Sequence, residues 1–103
     1  MAATLALELA AHAVRVNAVS PGSFLADGNT GWSRFRADHP DEFARFVEEE
    51  FPFGRLGLAE EIADVITFLL SPRASWINGT NVVVDGLQRR PTARRFPYRQ
   101  SAT

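Results

Sequence analysis

Val14-Arg15-Val16-Asn17-Ala18-Val19-Ser20-Pro21-Gly22 is the stretch whose reading decides the fold. Val14, Val16 and Ala18 alternate with Arg15 and Asn17, the two-residue period of a strand. Val19 gives the run the look of a strand covered on both faces, as in parallel sheets. Ser20-Pro21-Gly22 stops it, since proline has no N–H for a ladder and glycine opens a turn. Ahead of this strand, Ala2, Leu5, Ala6, Leu9 and Ala13 recur at helical spacing, and Thr4, Glu8 and His12 form only a thin polar stripe. The spacing predicts a helix over 2–13 that is apolar most of the way round and needs cover on more than one side.

Downstream, residues 23–39 show no clear periodicity and read as a loop with a short helix around Trp32–Phe35. Pro40-Asp41-Glu42 reads as a helix start, with proline at the first position and carboxylates facing the positive end of the helix dipole. Phe43, Phe46, Val47 and Phe51 give that helix an apolar face, and Pro52 ends it. Ile62, Val65, Ile66, Leu69 and Leu70 set a cleaner amphipathic helix over 59–71, closed by Ser71-Pro72. Leu58 stands where a capping serine or threonine would serve that helix. Asn78-Gly79 then turns the chain into the β-branched run 80–85, which reads as a buried strand. Helix, strand, lid-like helices, helix and strand is the rhythm of an α/β fold on a parallel sheet. Two strands do not make a viable sheet, so the expectation is a domain that is incomplete as it stands.

Composition removes much chemistry. The chain has 103 residues, 46% of them hydrophobic and 22% charged, in the ordinary range of globular proteins. It holds no cysteine, which excludes disulfides, thiolate metal sites and a cysteine nucleophile. His12 and His39 are too few for a histidine metal site, and no metal ligands are expected. All 11 basic residues are arginine, so every mechanism needing a lysine is excluded. The acids and arginines are unevenly placed: residues 1–86 carry 6 arginines and all 12 acids, whereas 87–103 carry 5 arginines and no acid. The basic segment 87–103 is expected to be a solvated, flexible tail. Nucleic-acid binding by its charge and its two rings, Phe96 and Tyr98, is a distant alternative. Acids Asp41, Glu42 and Glu48–Glu50 read as solvent-facing helix charges, and His39 as a helix-start residue. No positive charge precedes the apolar N-terminus and nothing approaches a membrane span, so a cytoplasmic protein is expected.

With those segments in place the sequence resembles the C-terminal half of short-chain dehydrogenases/reductases. The resemblance rests on Leu5–Ala10, Val14–Gly22, Pro52–Gly57, Glu60–Ala63, Phe68–Ser71 and Gly79–Gly86, in that order across residues 2–86. It implies part of a Rossmann-like, doubly wound parallel sheet with a nicotinamide cofactor, NAD or NADP, at the carboxyl ends of its strands. It further implies that Pro21, Gly22, Ser23 and Phe24 bring backbone against the nicotinamide carboxamide. Ala26 stands where the family often has a threonine for the cofactor, and Leu87 where it commonly has another glycine. Residues 27–57 correspond to the variable substrate lid, a kind of segment that often gates a site.

The resemblance also marks what the chain lacks. Family oxidoreductases use a tyrosine as acid/base and a lysine on the same helix. Here the only tyrosine is Tyr98 and there is no lysine. The seven glycines show no phosphate-loop spacing. Two functions follow as expectations. One is the C-terminal part of an NAD(P)-dependent oxidoreductase acting on a carbonyl or alcohol, inactive alone and with no catalytic residue of its own. The other is a non-catalytic interaction subunit that pairs with intact subunits. A homo-oligomer, or pairing with an N-terminal half, is expected in either case.

Overall fold

The computed structural model describes residues 1–26 and 31–89. Its elements are α1 (Ala2–Leu9), β1 (Ala18–Pro21), β2 (Phe24–Leu25), α2 (Gly31–Asp38), α3 (Pro40–Glu50), β3 (Gly57–Leu58), α4 (Ala59–Leu70) and β4 (Asn81–Val84). They fall into two compact units, Met1–Pro21 with Glu60–Val84 and Gly22–Ala59 with the residues from Asp85 on.

In the first unit, α1 tightens into a 3-10 turn at Ala10–His12 and ends where Ala13 turns left-handed at φ 58. The predicted helix 2–13 is therefore an eight-residue α-helix with a tighter last turn. β1 and β4 run parallel in the register Ala18↔Asn81 to Pro21↔Val84. Parallel strands joined across a helix fit the α/β expectation, and the two-stranded sheet is a partial α/β domain.

The strand is shorter than the alternation over 14–20 predicts, and it extends one residue further, through Pro21. Over Val16–Asn17 one backbone bond, from the Gly79 N–H to the Val16 carbonyl at 2.9 Å, is joined by side-chain bonds in place of a regular ladder. The Val16 N–H donates to Asn78 Oδ1 at 3.0 Å, and Asn17 Oδ1 accepts the Thr80 N–H at 3.1 Å. Asn17 Nδ2 donates to the Ile77 carbonyl at 3.0 Å, and only at Ala18, bonded to the Thr80 carbonyl at 2.8 Å, does regular pairing begin. Gly79 turns at φ 76, a left-handed conformation that favours glycine, and lies beside Ala3 and buried Ala6 of α1. Neither strand has the two-sided cover its valines suggest, because among the described residues each pairs only with the other, and Val83 remains 47% exposed. Arg15 ties this region to the end of α4, donating to the Ser71 and Ile77 carbonyls at 3.2 and 3.3 Å. Ser71 closes α4, its N–H and Oγ both bonding the Phe68 carbonyl.

In the second unit, α3 starts at Pro40 and ends before Phe51, within a residue of the expected bounds. α2 spans eight residues where a shorter helix was expected. The two are joined by rings: Trp32 stacks on Phe46 at 5.3 Å between centroids, and Phe35 meets Phe43 edge-on at 5.6 Å. Phe46 also meets Phe51 edge-on at 5.5 Å, so the apolar stripe of α3 becomes an aromatic core with Phe51 buried. β2 and β3 pair in parallel as Phe24↔Gly57 and Leu25↔Leu58, a contact that two-residue strands do not announce by periodicity. Leu58 is thus a ladder residue as well as the residue directly before α4, where a capping side chain would stand.

Candidate functional site

Pro21 is the last residue of β1, and the chain continues from it into the second unit as Gly22-Ser23-Phe24. Three neighbours within that unit hold these residues. The Ser23 carbonyl accepts the Gly57 N–H at 3.1 Å, which anchors the start of β2 to β3. The Ser23 N–H donates to Gln88 Oε1 at 2.8 Å, and Gln88 Nε2 donates to Ser23 Oγ at 3.0 Å. Gly22 leaves no room for a side chain: a Cβ would lie 2.6 Å from Asp85 Cβ and 2.7 Å from Gln88 Oε1. The glycine is required here by the chain's own Asp85 and Gln88.

Phe24 differs from Ser23 in which way its polar groups face. In a parallel ladder a residue opposite a bonding partner directs its own N–H and C=O the other way. Gly57 makes its bond to residue 23, so the Phe24 N–H and C=O face away from β3. They form a donor and an acceptor on one side of a braced backbone. That pair fits a flat group with an adjacent acceptor and donor, such as a primary carboxamide.

The brace comes from a tight reversal at Asp85–Arg89. The Gln88 N–H donates to the Asp85 carbonyl at 2.9 Å across Gly86 and Leu87, which lie at φ 57 and 68. The Asp85 carboxylate accepts the Leu87 N–H on Oδ1 and the Arg89 N–H on Oδ2, both at 3.0 Å. Gln88 was not among the residues singled out from sequence. An Asp-Gly pair does mark a reversal with positive φ, but nothing local says where the side chain after it points.

The other sequence candidates stay apart from this turn. Ala26 directly follows β2. Asp41, Glu42 and Glu48–Glu50 are exposed on α3, and His39 precedes it with no side-chain cap. Among the described residues no group of acids and histidines could hold a metal ion, and none is a tyrosine or lysine. Tyr98, Phe96 and the arginines after Arg89 lie outside the described residues, as do residues 27–30 of the expected lid.

A family model described as enoyl-(acyl carrier protein) reductase matches residues 1–86. Glucose 1-dehydrogenase from Gluconobacter oxydans is 41% identical over 83 residues, 81% of this chain and 29% of that protein. The short-chain dehydrogenase srdC of Neurospora crassa is 40% identical over 81 residues, 79% of this chain and 28% of that protein. The chain therefore spans under a third of the curated relatives it matches. Among solved structures, the NADPH-dependent reductase YwfH of bacilysin biosynthesis aligns with a TM-score of 0.71 at 26% identity, over 88% of this chain and 36% of that one. A 4-hydroxyisoleucine dehydrogenase complexed with NADH aligns with a TM-score of 0.68 at 26% identity, over 82% and 33%.

Proposed function

Since the chain belongs to the short-chain dehydrogenase/reductase family of oxidoreductases, we propose that it is the C-terminal, nicotinamide-facing part of an NAD(P)-dependent oxidoreductase acting on a carbonyl or alcohol. The observation that carries this reading is the outward-facing N–H and C=O of Phe24 on a turn braced from behind. In this reading Pro21 sets the exit from β1, Gly22 and Ser23 hold the turn, and Phe24 offers its backbone pair to the carboxamide. When bound, the nicotinamide supplies or accepts the hydride; this chain's part is to fix the ring's rotation. Relatives with NADH and NADPH in their descriptions support a nicotinamide cofactor, and both NAD and NADP remain in the proposal. Residues 1–86 are the family segment and 87–103 its basic extension.

The chain brings no lysine, and its single tyrosine lies far along the sequence from the turn. Proton transfer to the substrate and the grip on the cofactor phosphates therefore fall to residues outside this segment, and the chain is inactive alone. Purified free of host dehydrogenases, it should show no reduction of a carbonyl and no oxidation of an alcohol with either cofactor. Turnover that stays with the chain through purification contradicts the reading.

The exposed apolar side chains of the first unit favour a second role beside this one. Leu7, Leu70 and Trp76 are 79%, 78% and 97% exposed. Large apolar groups left in water mark contact surfaces, which suits a subunit that pairs with an N-terminal half or with intact family subunits. No helix among the described residues is long and apolar enough to cross a membrane.

A further inference from the structure

Gln88 makes two bonds to a single residue of the turn. Its amide oxygen takes the Ser23 N–H and its amide nitrogen gives a bond to Ser23 Oγ. A planar amide held at both ends fixes position and rotation together, which one bond does not. The contact is also tightly packed, since Gly22 has no space on the Gln88 side. Gln88 is itself held. Two successive left-handed residues, Gly86 and Leu87, carry the chain back, and the Asp85 carboxylate bonds the N–H groups on both sides of Gln88. A non-glycine residue persists in that region only where its surroundings fix it. The Ser23 N–H belongs to the Gly22–Ser23 peptide, so Gln88 fixes Ser23 from its N-terminal side, while the Gly57 bond to the Ser23 carbonyl orients the next peptide, which carries the Phe24 N–H.

We propose that Gln88 is a positioning residue for nicotinamide recognition: it clamps Ser23 so that the Phe24 N–H and C=O face the carboxamide. The proposal rests on the cofactor reading above and extends it to the segment after the last strand. Ser23, Gln88, Asp85 and Gly57 all lie in the second unit, so the clamp is complete within it.

The first test uses the full chain and amide hydrogen exchange. Gln88→Ala should speed exchange at the Ser23 N–H by about tenfold while leaving Phe51 N–H, bonded to Val47 in the same unit, unchanged. Gln88→Glu keeps an acceptor for the N–H, and the hydroxyl can turn to donate, so it should restore protection. Unchanged Ser23 exchange in Gln88→Ala, or equal acceleration at Phe51, overturns the clamp.

The second test places residues 1–89 in glucose 1-dehydrogenase in exchange for its matched segment and compares NADH with ADP-ribose, which lacks the nicotinamide. Gln88→Ala should weaken NADH by about fivefold or more and leave ADP-ribose unchanged, with rescue by Gln88→Glu. Equal loss for both ligands, or no loss for NADH, assigns Gln88 a merely structural part and overturns the proposal. A parent chimera that binds NADH no better than ADP-ribose instead overturns the cofactor reading, while the exchange result stands on its own.

Discussion

Asp85 holds Leu87 in a conformation that leucine disfavours: its Oδ1 accepts the Leu87 N–H at 3.0 Å while Leu87 sits at φ 68. A left-handed non-glycine residue costs about 1 kcal/mol or more. The family resemblance implies a second glycine at this position, and the backbone supplies the physical reason.

Leu87 is 63% exposed, so replacing it forfeits little burial. Leu87→Gly should stabilise the protein by roughly 0.5 kcal/mol, the relieved strain being partly offset by the freer unfolded chain. Leu87→Asn should do so too, since asparagine tolerates this region. The check is the urea midpoint of each variant, and a lowered midpoint for both counts against the strain.

Asn17 does for the start of β1 what a ladder does elsewhere, accepting from Thr80 and donating to Ile77. Asn17→Leu keeps the size and loses both bonds. It should destabilise by about 1 kcal/mol, because the Thr80 N–H loses its acceptor and the Ile77 carbonyl keeps only its bond from Arg15. Asn17→Asp keeps the acceptor alone and should fall between. Midpoints in that order bear on the claim, and an unchanged Asn17→Leu contradicts it.

These two cases show what the sequence could carry and what it could not. α3 and α4 were legible because their signals are local: proline at the first position, a stop after the last turn and an apolar stripe between. β1 was legible as a strand but not in its length, since the Val16 N–H bonds the side chain of Asn78, more than sixty positions away, instead of a strand partner. β2 and β3 are two residues each, too short for any period to register. At the candidate site the Pro21-Gly22 turn was readable from its residue types. Its brace was not: Gln88 lies 65 positions from Ser23, in a segment whose arginines dominate its reading.

Exposed Leu7, Leu70 and Trp76, with Val83 half exposed on a two-stranded sheet, should make the isolated chain self-associate or bind an apolar dye. Light scattering and dye fluorescence at several concentrations check this. A sharp monomer with a cooperative melt and no dye binding would show that the chain closes its own surface.

The most direct measurement is NADH titration, by calorimetry or reduced-nicotinamide fluorescence, of this chain alone, of the N-terminal part of glucose 1-dehydrogenase alone, and of the two together. That N-terminal part ends where the similarity to this chain begins. If the Pro21–Phe24 turn supplies the nicotinamide side of a site completed elsewhere, NADH binds only in the mixture. Replacing Arg94 and Arg95 with alanine leaves that binding unchanged. Binding by this chain alone, or binding in the mixture that is lost with Arg94 and Arg95, would contradict the account.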